Sequence, residues 1–373
     1  MIRRLDRLQV VLAAMLASLG VMTVFSARAD WQRQVVWVIA GAAIYVAATT
    51  FDYRRLRTVA PALYGGMMLM LVGVHLVGHT ALGARRWLAV SGFPLEPSEL
   101  SKLVLVVVLG AYLARTDRIG WRAFAGALGL AAAPACLVVT QPDLGTTLVL
   151  AAVTFGMLFL GGARPVQLGS VLTAAVVMVP SLPNLLRGYQ QRRLEVFLNP
   201  SLDPLGAGYN LIQARIAVGS GGMFGRGWLQ GMQGQLGFIP ERATDFVFAT
   251  FAEEFGLLGS LVLLTLFGTL LIRVLRSAGV ASDRFGELLA GGVFAMILVQ
   301  VLENVGMNIG LLPIAGIPLP LISYGGSATI TTLAGLGIVQ SVTVRRRRVV
   351  HEEPLPINGQ ESLLGTITRR AQA

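Results

Sequence analysis

Long apolar runs partition this sequence, and their length leaves few folds open. They fall at about 8–26, 35–50, 59–77, 99–113, 123–140, 145–160, 166–183, 246–272, 287–309 and 327–344. Inside a bilayer no water is available to the backbone, so a segment must satisfy its own hydrogen bonds. These runs are too long and too uniformly apolar for alternating barrel strands, which leaves the helix. Only 13% of the chain is charged, against about a quarter in soluble domains. The expected fold class is an all-α integral membrane protein of about ten transmembrane helices. Residues 1–348 read as a single polytopic domain, with a large loop at 184–244 between spans seven and eight. Residues 349–373 read as a loose polar tail. The fourth and sixth runs are short for a full crossing. The first run is long for the apolar core of a leader and lacks a cleavage site, so it is read as a retained helix. The single cysteine, Cys136, lies within a run and excludes an intramolecular disulfide.

Ten spans place both termini on one side. With that side cytoplasmic, inner segments carry 19 basic residues and short outer loops carry 4. That bias puts the termini inside and the 184–244 loop outside. Arg345 to Arg348 then serve as an inner anchor. The net charge of +11 follows from this distribution, so nucleic acid is not an expected partner.

An ionisable residue inside a span costs about 2.5–3.5 kcal/mol on insertion scales. Lys102, the only lysine, follows Glu99 by three residues, so the two share a helix face. The pair either neutralises itself to fix packing or lines a polar cavity. Arg85 and Arg86, before Trp87, are cations on the side where cations are disfavoured. They either snorkel at the interface or serve that cavity. The large loop holds six arginines against three carboxylates. Its stretch Gly219 to Gly227 reads as a flexible loop or as an amide cradle for an anion. Leu211 to Val218 fit a short surface helix. Arginines beside a membrane cavity suggest an anionic, lipid-borne ligand, because the planar guanidinium binds two phosphate oxygens at once.

Asp143, in a Gln-Pro-Asp-Leu-Gly-Thr turn, fits a helix cap. From Leu311 to Gly326, prolines and glycines leave no room for a regular helix, and Ser323 and Tyr324 would face the outer vestibule. Glu253 and Glu254 interrupt the eighth run in packing or functional roles. Asp245 is the leading candidate for chemistry. It stands where the loop becomes a helix, solvated enough to ionise and close to lipid. Capping, together with Thr244, and catalysis as a base are both open there.

Taken in order, several segments resemble the SEDS family (shape, elongation, division, sporulation), most closely its RodA branch. They are Gly83-Ala84-Arg85-Arg86-Trp87; Glu96-Pro97-Ser98-Glu99 with Lys102; and Gln141-Pro142-Asp143-Leu144-Gly145-Thr146. Asp203-Pro204-Leu205-Gly206-Ala207-Gly208-Tyr209, Pro240-Glu241-Arg242-Ala243-Thr244-Asp245-Phe246, and Gly316-Ile317-Pro318-Leu319-Pro320 through Ser323-Tyr324-Gly325-Gly326-Ser327 complete the set. The resemblance implies a peptidoglycan glycosyltransferase that polymerises lipid II at the outer face of the inner membrane, for elongation and rod shape. It further implies a class B penicillin-binding protein as partner and a divalent cation, Mg or Mn, with no organic cofactor. By resemblance Asp245 is the essential aspartate and a possible metal ligand. Arg86, Glu99, Lys102 and Arg193, with Ser323 and Tyr324, belong to the substrate cavity. The chain departs from the family pattern at Ala243, where histidine is usual, at Gln191 and Arg192, whose order is exchanged, and at Glu303, where an apolar residue is usual. A lipid-precursor flippase or transporter, a division-type polymerase and a non-catalytic scaffold remain alternatives.

Overall fold

The computed structural model describes residues 4–81, 84–90, 93–116, 118–178, 188–206 and 208–346. The chain runs through α1 (Arg7–Ser26), α2 (Trp31–Thr50), α3 (Arg54–Val77), α4 (Pro97–Leu113), α5 (Trp121–Thr140), α6 (Leu144–Leu160) and α7 (Pro165–Met178). The long loop contains α8 (Gly188–Leu198), α9 (Tyr209–Ser220) and α10 (Met232–Gln235). Then come α11 (Val247–Gly279), α12 (Arg284–Asn308) and α13 (Gly326–Val344). Every apolar run is thus helical where it is described; residues 179–183 and the 349–373 tail lie outside the described residues. Among the described helices, seven have the length and composition to cross a membrane, while α6 and α7 are apolar but shorter. The surface helix expected at 211–218 is the core of α9.

One element departs from the all-α expectation. Between α3 and α4 the chain forms a small antiparallel sheet, β1 (His79–Ala81), β2 (Ala84–Val90) and β3 (Phe93–Leu95). His79 pairs with Trp87 and Leu88 with Leu95. This segment is too short and too polar for another span, so its backbone groups pair locally instead.

Local capping starts several helices. Asp6, Asp30, Asp143 and Asp283 each accept an amide N–H three residues on, opening α1, α2, α6 and α12. The cap expected of Asp143 is therefore present. Burial then orders the bundle: 72% of the central α12 window and 83% of that of α13 are buried, against 17% for α2. The first two form the protein core and the last faces outward.

At the end of the bundle where α2 gives way to α3, Tyr53 Oη donates to Asp283 at 2.7 Å and Arg54 Nε donates to the same oxygen at 3.1 Å. Arg345 donates to the carbonyls of Thr49 and Thr50, closing the C-terminus of α2. Burial works against ionisation of Asp283, but the Gly286 amide, Tyr53 and Arg54 outweigh it and hold the carboxyl below its usual range. A depressed folded-state pKa contributes stability above the ordinary carboxylate pKa, and that stability is lost as pH falls through the folded value. Asp283→Ala is expected to cost about 1 kcal/mol from the cap alone at neutral pH. The gap from wild type should narrow on acidification in thermal melts; a gap independent of pH would contradict the assignment.

The glycine-rich stretch is not a loose loop. α11 is broken at Gly256 (φ 65°, ψ −164°), and the stretch fills the break. Arg226 and Gly227 N–H groups donate to the carbonyls of Glu253 (2.9 Å) and Glu254 (3.0 Å). In return, Leu257 and Leu258 N–H groups donate to Gly222 (2.9 Å) and Met223 (3.1 Å). The Arg226 and Gly227 amides are thus committed to α11. Glu253 accepts from the Gln233 and Gly234 amides, and Glu254 accepts from Ser26 Oγ and the Leu229 amide. Both carboxylates are buried and anchor the long loop to the bundle.

Candidate active site

Where α1 meets α2, loops at that end of the bundle enclose a cavity of about 520 Å³. Trp37 enters from α2, Trp87 from β2, Glu96 and Glu99 from the start of α4, and Asp143 and Thr146 from the start of α6. Arg193 of α8, the segment before α11 and the segment leading into α13 complete the wall. Among the described lining residues there are five carboxylates (Glu96, Glu99, Asp143, Glu241 and Asp245) and one guanidinium, Arg193. Among the described residues the lining is thus mainly acidic, although the loop arginines had suggested an anionic ligand.

Asp245 lines this cavity, half-buried, two residues ahead of α11. It does not cap the helix: the N-cap position is Phe246, with no side-chain cap bond. Its backbone is firmly held instead. Asn304 Nδ2 donates to the Asp245 carbonyl at 2.9 Å and to that of Ile317 at 2.8 Å. Asn308 Nδ2 donates to the Asp245 carbonyl at 3.1 Å, while its Oδ1 accepts from the Ala249 amide. Behind the loop, Ser323 Oγ donates to the Thr244 carbonyl at 2.6 Å and accepts from the Leu319 amide. The Tyr324 amide donates to the Ala243 carbonyl at 2.8 Å. Gly316, at φ 76°, leaves room for the carboxylate, since a Cβ there would sit 3.3 Å from Asp245 Oδ2.

The nominated residues therefore divide. Asp245, Glu99, Arg193 and Tyr324 line the cavity. Arg193 is steadied by donating to the Ile314 carbonyl. Ser323 is buried and holds the Asp245 loop from behind. Lys102 is 1% exposed and lies behind Glu99, donating to it at 2.6 Å. The side chain of Arg86 lies outside the described residues, although its backbone belongs to β2. The asparagines were the residues missed. Two amides four positions apart in an apolar helix were the available signal, since they share one face.

Glu303 gains a setting. It is buried on α12, its Oε2 has no hydrogen-bond partner, and Lys102 and Asp143 are the charges acting on it. Lys102 is paired with Glu99 on its own helix, and its charge reaches Glu303 of α12 without a hydrogen bond. Lys102→Met is expected to destabilise the protein by about 3–5 kcal/mol, the scale for breaking a buried pair. Adding Glu99→Gln, which removes the carboxylate left unpaired, should recover part of that loss in thermal melts. Strictly additive effects would show that the two groups do not couple.

These features define a class: a multi-pass helical membrane protein with an acidic site at one end of its bundle. A family model described as a cell cycle protein, covering FtsW, RodA and SpoVE, matches residues 6–348, and the chain belongs to that family, the SEDS proteins. It is 39% identical over 345 residues to the peptidoglycan glycosyltransferase MrdB of Escherichia coli K12, covering 89% of this chain and 93% of that one. Its fold matches a chain from a peptidoglycan synthase complex with a TM-score of 0.82 at 33% identity, over 92% of this chain and 99% of that one. The rod shape determining protein RodA of Thermus thermophilus matches with a TM-score of 0.70 at 31% identity, over 92% and 98%.

Proposed function

We infer that this chain is a peptidoglycan glycosyltransferase of the elongation type, polymerising lipid II into glycan strands at the outer face of the cytoplasmic membrane. The observation that carries the reading is Asp245, presented to an enclosed acidic cavity by a backbone that two asparagines grip. Asp245 takes the proton from the 4-hydroxyl of the acceptor sugar. That oxygen attacks the anomeric carbon of the donor, the bond to undecaprenyl pyrophosphate breaks, and the centre inverts. Arg193, which lines the cavity, is the candidate to bind the leaving pyrophosphate, and the family resemblance adds Arg86. Glu99, which accepts from Lys102, binds sugar hydroxyls or a cation.

Five carboxylates and one guanidinium make a poor unaided host for pyrophosphate. A divalent cation, if held by these carboxylates, would supply the positive charge that a pyrophosphate needs. Among the described residues no group of three His, Cys, Asp or Glu could hold an ion by itself. Magnesium fits such a site, because it commonly takes one or two carboxylates and completes its shell from phosphate and water. Asp245 is the first candidate to hold it, and when bound it neutralises charge on the leaving group. The expected partner is a class B penicillin-binding protein that crosslinks the product.

The test incubates purified protein and partner with labelled lipid II and Mg or Mn, resolving products on a gel. Polymer made by wild type and not by Asp245→Ala supports the reading. Absence of polymer with the folded, partnered protein rejects it, and transbilayer movement of lipid II without polymer would favour a transporter.

A further inference from the structure

A second concave site lies outside the acidic cavity, at the turn between α1 and α2. Phe25, Arg28, Ala29, Trp31, Leu229 and Gln235 line an open concavity of about 490 Å³ there. The walls are aromatic and exposed. Phe25 packs on Trp31 with ring centroids 5.8 Å apart and on Trp228 at 5.9 Å. Amphipathic rings with this exposure are typical of the boundary between membrane and water.

Arg28 is the cation of the site. It adopts φ 53°, a left-handed conformation that is strained for a residue with a Cβ. The surrounding structure enforces it. The Arg28 amide donates to the Phe25 carbonyl at 3.0 Å, and Arg242 Nε donates to the Ala27 carbonyl at 2.7 Å. The Arg28 Nε donates to the neutral amide of Gln235 at 2.8 Å, which orients the guanidinium. Its charge is not met by a carboxylate: among the described residues Arg28 forms no ion pair, and nearby Asp30 is engaged by Arg33 through both oxygens. An oriented, uncompensated fork over aromatic walls matches a phosphate monoanion attached to an apolar tail.

We propose that the α1–α2 turn binds the phosphate headgroup of a membrane lipid. Arg28 takes the phosphate oxygens, while Phe25, Trp31 and Leu229 take the start of the acyl chains. The proposal rests on α1 and α2 crossing the membrane, and not on the polymerase reading. Both helices also expose apolar side chains, such as Val11 and Met15 on α1 and Val36 and Ile39 on α2, which favours a membrane-borne phosphate over a free one.

The test measures lipid retention by native mass spectrometry, using full-length protein from nanodiscs of phosphatidylcholine with graded phosphatidylglycerol. Wild type should retain one phosphatidylglycerol roughly tenfold more tightly than Arg28→Gln, the scale of one charge-assisted contact. Arg28→Gly, which also relieves the positive φ, should show the same loss in a protein at least as stable. Arg33→Gln, exposed and paired with Asp30, should behave as wild type. Retention unchanged in both Arg28 variants overturns the site. So does an equal loss in Arg33→Gln, which would mean diffuse surface charge, or displacement by millimolar inorganic phosphate, which would mean a free-anion site.

Discussion

Asp245→Asn is expected to leave the protein folded and to reduce polymerisation by about 10²–10⁴-fold, the range for losing a general base. The substitution is nearly isosteric. The asparagine grip on Asp245 goes to its carbonyl and not to its side chain, so the loop keeps its path. Because Asp245 does not cap α11, no helix end is exposed either. Thermal melting should therefore match wild type while the initial rate of lipid II polymerisation collapses. Divalent-ion titration separates the two roles of the carboxylate. If Asp245 mainly holds a cation, the amide oxygen remains a weaker ligand and excess Mg or Mn should restore part of the rate. If it is the base, no ion concentration does so. Substantial activity in Asp245→Asn without added ion would remove Asp245 from the chemistry.

Much of this architecture was legible because membranes impose coarse rules. Run length and uniform hydrophobicity require helices, and each run proved helical where described. The Glu99–Lys102 pair followed from i,i+3 spacing, and the Asp143 cap from ordinary turn chemistry. What escaped depended on tertiary placement. Lys102 and Glu99 share a face, yet only packing puts the carboxylate in the cavity and the ammonium behind it. The loop arginines suggested an anionic ligand, but Arg226 and Arg242 turn to backbone carbonyls, and five carboxylates from three segments converge in the cavity. Asp245 was conspicuous by its position in the sequence. Asn304 and Asn308, which hold it, sit sixty residues away in an apolar helix, and nothing local connects them. The β-sheet went unread because each of its strands is only three to seven residues long.

The glycine-rich stretch is the clearest case of that limit, and it leads to a large stability effect. Gly256→Ala is expected to destabilise the protein by roughly 3 kcal/mol or more, with partial loss of polymerisation. Its backbone region is essentially open to glycine alone, and placing another residue there costs about 1–3 kcal/mol. A Cβ would also lie 2.3 Å from the Gly225 nitrogen and 2.8 Å from the Met223 carbonyl, both backbone atoms that cannot rotate away. Relieving that clash means separating the glycine-rich stretch from α11, where four backbone hydrogen bonds worth about 1 kcal/mol each cross the break. Glu253 and Glu254 would lose their position against the long loop at the same time. Gly268→Ala, in the same helix with nothing within 4 Å of its Cβ, is the matched control and should be neutral or mildly stabilising. Thermal melting in detergent and limited proteolysis of residues 221–238 read the difference. Equal stability of the two variants would mean that the break in α11 accommodates a side chain and that the stretch does not hold it. A selective loss in Gly256→Ala, with new cleavage confined to the loop, would show that the segment joining the long loop to α11 is a fixed part of the scaffold that presents Asp245.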